Sequence, residues 1–311
     1  MSSIRVANAP CSWGTLEFEE FDGEQVPYDR MLDELVETGY TGTELGDWGY
    51  MPTRSRELRE ELSERGLTML GAFVPVALKE KAEHADGEKR ALRVAELLAE
   101  VADVGDSEHD PYVVLSDDNG RDWQRQQYAG RITDSMALTD HQWRTFAEGA
   151  ERIARAVREE TGLRTVFHHH CGGYVERPDE IAELLERTDE ELLGLVLDTG
   201  HYAYGAGVGG CEQVVGGLER FSDRIWYLHF KDLDPEIAQI ARMQGLGYFD
   251  AIKEGLFCPL GDGCVEFSEV VQWARSNYDG WVVVEQDILP DMGEPAIHAL
   301  ENREYLASLG L

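Results

Sequence analysis

The sequence predicts a (β/α)8 barrel spanning residues 1–311 as a single domain. Three observations carry the prediction. Strand-like and helix-like runs alternate along the whole chain. Eight strand candidates can be counted. Most of them are continuous apolar runs, as parallel strands buried on both faces read. A doubly wound open sheet would alternate in the same way, but no GxGxxG follows the first strand, so the usual dinucleotide signature is missing.

The strand candidates are IRVANA (4–9), GTELG (42–46), TMLGAFV (68–74), YVVLS (112–116), RTVFH (164–168), GLVLD (194–198), IWYLHF (225–230) and WVVVE (281–285). Between the first two, Met31, Leu32, Leu35 and Val36 recur at helical spacing. Gly39 ends that helix and Gly66 ends the next. Longer helical patterns cover about 87–104 and 138–160. Pro178 opens another, in a position proline favours. GCEQVVGGLERF and EFSEVVQWARS supply two more. The 233–265 stretch, containing CPLGDG, reads as a long active-site loop.

Four of the predicted strands end in a side chain able to bind a metal: His168, Asp198, His229 and Glu285. A closed parallel barrel brings the C-terminal ends of its strands to one face, where such barrels place their chemistry. Each residue has a plainer reading. His168 could lie in a solvent-facing loop, Asp198 could merely cap the next helix, and His229 could be a satisfied core histidine. Glu285 ends a run too apolar for a surface strand, where an unpaired carboxylate would be costly. Together the four offer N, O, N and O ligands. That set suits Mn²⁺ or Co²⁺, with Zn²⁺, Fe²⁺ and Mg²⁺ as alternatives, better than Ca²⁺.

Strand alternation sends His168 and His170 the same way and His169 the other. Gly172 and Gly173 then allow a sharp turn. His201 follows Asp198 by three residues, and Lys231 follows His229 by two. Asn8, Trp13 and Glu44, near the first two strand ends, are expected to touch a substrate. Trp13, Trp48 and Tyr50 either floor a polyol pocket or pack at its rim.

The chain holds 61 acidic against 28 basic residues, a net charge of −33, and only five of the basic residues are lysine. Nucleic acid and anionic membranes are poor partners for such a surface. Molar salt shortens the Debye length to about 3 Å and would screen the self-repulsion, so adaptation to a salty cytoplasm is expected. The five cysteines have irregular spacing and no CxxC, which predicts buried thiols and no disulfide framework. No apolar run is long enough to span a membrane, and MSSIRVANAP lacks the core of a signal peptide. A cytoplasmic protein with a small-molecule substrate is expected, and a homo-oligomer is compatible with the sequence.

NAPCSWG, GTELGDWGYMP, FHHHCGGYVE, LDTGHYAYG, HFKD, FCPLGDG and VVVEQD resemble the xylose-isomerase-like TIM-barrel superfamily of sugar isomerases and epimerases, most nearly its inosose dehydratase branch. The likeness runs from about residue 4 to 311. It implies a divalent metal at the ends of the last four strands, with Asp198, His229 and Glu285 on ligand positions. Many members carry Glu at the fifth-strand position, where this chain has His168 followed by His170. Either could be the first ligand, or could contact substrate. With one Glu replaced, two-base proton transfer fits less well than one-sided abstraction and loss of hydroxide. The resemblance therefore implies a hydro-lyase acting on a keto-polyol such as 2-keto-myo-inositol, with Glu285 or His170 as base and His201 or Lys231 as acid. The alternatives are a sugar or sugar-phosphate isomerase or epimerase, and a polyol-binding barrel without catalysis. The superfamily's DNA-repair nucleases fit poorly with a net charge of −33.

Overall fold

A computed structural model describes residues 4–14, 26–106, 108–289 and 292–311. Eight parallel strands close a barrel: β1 (Arg5–Asn8), β2 (Gly42–Glu44), β3 (Thr68–Val76), β4 (Tyr112–Asp117), β5 (Arg164–His168), β6 (Leu193–Asp198), β7 (Ile225–Phe230) and β10 (Trp281–Val284). The order around the barrel is β1-β10-β7-β6-β5-β4-β3-β2, which is sequence order with β10 closing onto β1. Two short strands, β8 (Asp232–Leu233) and β9 (Phe257–Cys258), pair antiparallel outside it. The eight expected strands all form, at nearly the expected limits.

The helices form for local reasons. Helix Ser55–Arg65 ends on Gly66, whose φ of 66° few other residues tolerate. Helix Asp140–Thr161 starts with a capping box between Thr139 and Gln142. Among the described residues, no helix is long and apolar enough to cross a membrane.

The core has two parts. An outer cluster fills the space between strands and helices, and includes Leu32, Leu98, Ile153 and Leu197. A smaller cluster fills the barrel, built on Ala7, Val114, Val166, Val196, Tyr227 and Val283. This inner layer is the floor of the candidate site.

Two expectations are corrected. The 233–265 stretch is no simple loop, since it holds helices Pro235–Gln244 and Tyr248–Lys253 and strand β9. Asp234 caps the first of these helices by accepting from the Glu236 and Ile237 amides, and Pro235 occupies its first turn. The thiol expectation also fails in part: Cys211 and Cys264 form a disulfide with Cα atoms 5.7 Å apart. Their separation of 53 residues hides the pairing from sequence inspection, because it joins two loops of different βα units. Cys11, Cys171 and Cys258 remain free.

Candidate active site

Successive inward residues of a strand are two apart. One step up from the inner apolar layer, Val166 gives way to His168, Val196 to Asp198, Tyr227 to His229 and Val283 to Glu285. These four side chains are buried, and one ligand atom from each lies within 4.8 Å of all the others. His168 Nε2 is 3.8 Å from Asp198 Oδ2, and His229 Nδ1 is 3.1 Å from Glu285 Oε1.

Strand register contributes to the convergence. Asp198 is the direct neighbour of His229 across β6 and β7, and His229 is level with Val283 across β7 and β10. Asp198 does two things at once. Its Oδ1 accepts from the His201 backbone N–H at 2.7 Å, capping helix Thr199–Gly205, while its Oδ2 is buried without a hydrogen-bond partner.

A second step of two residues builds another polar tier: His170, Lys231 and Asp287, with His201 from the capped helix. Lys231 is its centre. Its ammonium lies 3.0 Å from Asp287 Oδ1, 3.1 Å from Glu285 Oε2, 3.7 Å from Asp198 Oδ2 and 3.1 Å from His201 Nε2. The Thr199 hydroxyl donates to the Lys231 carbonyl at 2.7 Å and accepts from its amide at 2.9 Å. Gly200 leaves room for the lysine stem, since a Cβ there would stand 2.7 Å from Lys231 Cγ. The rings of His170 and His201 lie against each other, tilted by 39° with centroids 3.9 Å apart.

The electrostatics divide the site. Burial and the neighbouring His229 charge push His168 down to about 3. Burial, with His168 and Lys231 nearby, brings His170 to about 3 as well. Both imidazoles are therefore neutral at ordinary pH. Burial disfavours the His229 imidazolium too, but Glu285 and Glu44 outweigh it and hold its pKa up at about 10. Burial likewise opposes ionisation of Lys231, and Asp287, Glu285 and Asp198 overcome it and raise the lysine well above its usual range. The carboxyl of Glu285 is lowered despite burial, by His229 and then Lys231.

These residues fit a divalent cation. Asp198 Oδ2 is a buried polar atom with no hydrogen-bond partner, and with His229 Nδ1, 3.1 Å from Glu285 Oε1, it belongs to a mixed nitrogen and oxygen donor set. Glu44 stands behind His229, whose Nε2–H donates to Glu44 Oε1 at 2.9 Å. That bond directs Nδ1 toward Glu285 and Asp198, the arrangement by which a carboxylate orients a metal-binding histidine.

Two residues expected at the substrate are placed elsewhere. Ala7 and Ala9 face the barrel interior, so the alternation of β1 turns Asn8 outward toward Tyr40. Trp13 is buried in the outer core and its indole N–H donates to Glu34. Trp48 is 36 % exposed, with Arg93 over its ring, rather than flooring the site. Asp287 and Tyr248 were not among the expected residues. Tyr248 comes from the 233–265 excursion and donates to Asp287 Oδ2 at 3.2 Å. Asp287 was findable, because it continues the two-residue step past Glu285. Tyr248 had no signal, because its helix lies outside the strand pattern.

A separate cleft of about 820 Å³ lies beside the Cys211–Cys264 disulfide, lined largely by glycines and apolar residues such as Val208, Pro235 and Met243. It gathers no comparable set of buried acids and bases.

The family model for the xylose isomerase-like TIM barrel matches residues 32–308. The chain belongs to that family. An inosose dehydratase of Geobacillus kaustophilus (strain HTA426) is 29 % identical over 99 % of this chain and 96 % of its own length. An inosose dehydratase of Bacillus thuringiensis (strain Al Hakam) is 28 % identical over 98 % of this chain and 97 % of its own. Among solved structures, a probable 3-DHS dehydratase from Bacillus anthracis superposes with a TM-score of 0.67 at 14 % identity, covering 98 % of this chain and 99 % of its own. With full-length relatives of this kind, the chain is an enzyme of the family.

Proposed function

We propose that this protein is a metal-dependent hydro-lyase that dehydrates a neutral keto-polyol such as 2-keto-myo-inositol. The observation that carries the reading is the asymmetry of the site. One side presents the Glu285 carboxylate with Lys231 against it; the other presents the neutral imidazoles of His168 and His170. Two matched carboxylate bases on opposite faces, which a reversible epimerisation would use, are not what this pair offers. The full-length likeness to inosose dehydratases supports the same reading.

His168, Asp198, His229 and Glu285 would hold the cation, which as a Lewis acid would polarise the ketone of the substrate. The chain's own residues do the rest. His170 donates through Nδ1–H to the Cys171 carbonyl at 2.7 Å, so its Nε2 carries the lone pair and accepts the proton α to the ketone. Lys231 stays protonated among Asp287, Glu285 and Asp198, and gives a proton to the departing β-hydroxyl. His201, against the ammonium, takes part in returning that proton. Lys231, His201 and Asp287 are buried and His170 is partly so, which limits the access of bulk water to the reacting carbon.

The basic residues support an uncharged substrate over a sugar phosphate. The first Lys or Arg after the ends of β2, β3, β4 and β5 is Arg54, Lys79, Arg121 and Arg177, and each is paired with a carboxylate. Lys231 is engaged in the same way, and residues 15–25 contain no basic side chain.

The test is incubation with 2-keto-myo-inositol and Mn²⁺ or Co²⁺ in D₂O at high KCl, read by mass spectrometry. Loss of water is expected. Deuterium exchange without loss of water would replace this reading with an isomerase or epimerase.

A further inference from the structure

Apart from Glu44 on β2, the polar groups of the site line only part of the barrel wall, along and just beyond β5, β6, β7 and β10. The arc across from them, on β3, is apolar. Gly71, Phe73 and Pro75 alternate inward there, while Ala72, Val74 and Val76 pack outward in the helix-facing core. A Cβ at Gly71 would press on the neighbouring strand, 3.0 Å from the Tyr112 carbonyl oxygen and 3.2 Å from Val114 Cγ2. Phe73 packs on the inner apolar cluster, level with Val114 in the strand register. Val166 continues that level on β5, and Val114, Val166 and Tyr227 fill the barrel interior beside the ring. Phe73 nevertheless keeps part of its surface accessible. Its ring meets His168 edge-on at 6.0 Å and His170 at 6.5 Å, the residues assigned above to the cation and the substrate proton. A second hydrocarbon ring, Phe257, meets the upper tier from elsewhere, 5.2 Å from the His201 ring and under the Lys231 ammonium.

We propose that Phe73 is the platform on which the apolar C–H face of a cyclic polyol lies, and that it selects ring substrates over open-chain ones. The proposal rests on the keto-polyol reading and narrows it. A polyol ring held flat has one face of C–H bonds, while its hydroxyls and ketone point to the rim. Phe73 supplies a flat apolar contact for that face, and His170, His201, Lys231 and Asp287 receive the rim. An open-chain ketose has no such face and gains little from the ring. The contact is the same in ground and transition states, so it acts on KM and leaves kcat nearly unchanged.

The experiment compares the wild-type protein with Phe73→Leu and Phe73→Tyr, all loaded with Mn²⁺. Calorimetry with myo-inositol, which lacks the ketone and is not turned over, reads binding directly. Steady-state kinetics with 2-keto-myo-inositol and with an open-chain ketose read selectivity. Phe73→Leu should weaken myo-inositol binding and raise KM for the cyclic ketone by about tenfold, with metal content unchanged. Phe73→Tyr, which keeps the ring, should restore both. Equal affinity in wild type and Phe73→Leu would overturn the proposal, as would failure of the wild type to bind any cyclic polyol. Failure of the dehydratase reading appears separately, as binding of myo-inositol without loss of water from the ketone.

Discussion

Replacing Arg125 by Met should be among the most damaging single changes outside the catalytic tiers, and its cost can be worked out from contacts. Arg125 comes from the short helix Trp123–Gln127 and is 1 % exposed. Its two terminal nitrogens donate to Glu180 at 2.8 and 2.7 Å, and its Nε donates to the Gly173 carbonyl at 2.7 Å. Glu180 in turn accepts from the backbone amides of Glu176 and Arg177. Removing the guanidinium strands a buried carboxylate, which costs roughly 3–5 kcal/mol. The freed Gly173 carbonyl adds about 1 kcal/mol. The sum, about 4–6 kcal/mol, approaches the whole stability of many domains. Urea unfolding at fixed salt measures it. The double variant Arg125→Met with Glu180→Gln should regain much of the loss, because a glutamine oxygen can still accept from those amides and no charge is stranded. A loss below about 1 kcal/mol, or a double variant no better than the single one, would refute the argument that ion pairing anchors the 170–176 turn.

Other outcomes follow from the same structure. His229 must lose the proton that Glu285 and Glu44 hold up to about 10, so metal uptake should release a proton and tighten as pH rises toward that value; chelator competition between about pH 6.5 and 8.5 would show it. Glu44→Gln should weaken metal binding about 10–100-fold by loosening the orientation of His229, again read by chelator competition. Reducing Cys211–Cys264, whose separation is 53 residues, should cost up to about 4 kcal/mol of unfolding free energy, and thiol titration should rise from three groups to five. With its net charge of −33, the protein should melt at higher temperature in about 3 M KCl than in about 0.1 M; equal melting would show that its acids do not repel enough to matter.

Much of the site was legible because it obeys one rule, the period of two along a strand. That rule places His168, Asp198, His229 and Glu285 together once the barrel closes, and it separates His168 and His170 from His169. His169 indeed turns away and accepts from the Asp198 amide through Nε2. Asn8 was misplaced because its strand carries apolar residues on both faces, Val6 outward and Ala7 and Ala9 inward, and Trp13 because it lies on the 3-10 turn Pro10–Trp13 beyond the strand. Only the packed neighbours Ala7 and Ala9 settle the phase of alternation. Tyr248 and the disulfide were not legible at all, because both depend on how the 232–265 excursion folds back over the barrel. Asp232 organises that return: its carboxylate accepts from the amides of Leu233, Gly261, Gly263 and Val265. In the sequence, Asp232 is simply the last letter of HFKD.

Lys231 gives the functional reading its sharpest point. This chain uses lysine five times among 28 basic residues, and arginine makes nearly all its other cationic contacts. Arg125 shows that a buried guanidinium is accommodated where only charge and geometry are needed. At 231 the chain keeps lysine instead, 1 % exposed, among three carboxylates and against His201. Arginine cannot give up its proton in a protein, whereas lysine can. A purely structural cation would serve equally well as either residue, apart from size. A proton donor would not. Lys231→Arg should therefore leave metal uptake largely intact while turnover falls by at least about 100-fold, the usual range for losing a general acid. Restored turnover in that variant would reduce Lys231 to a counter-charge and remove the acid from the proposed elimination.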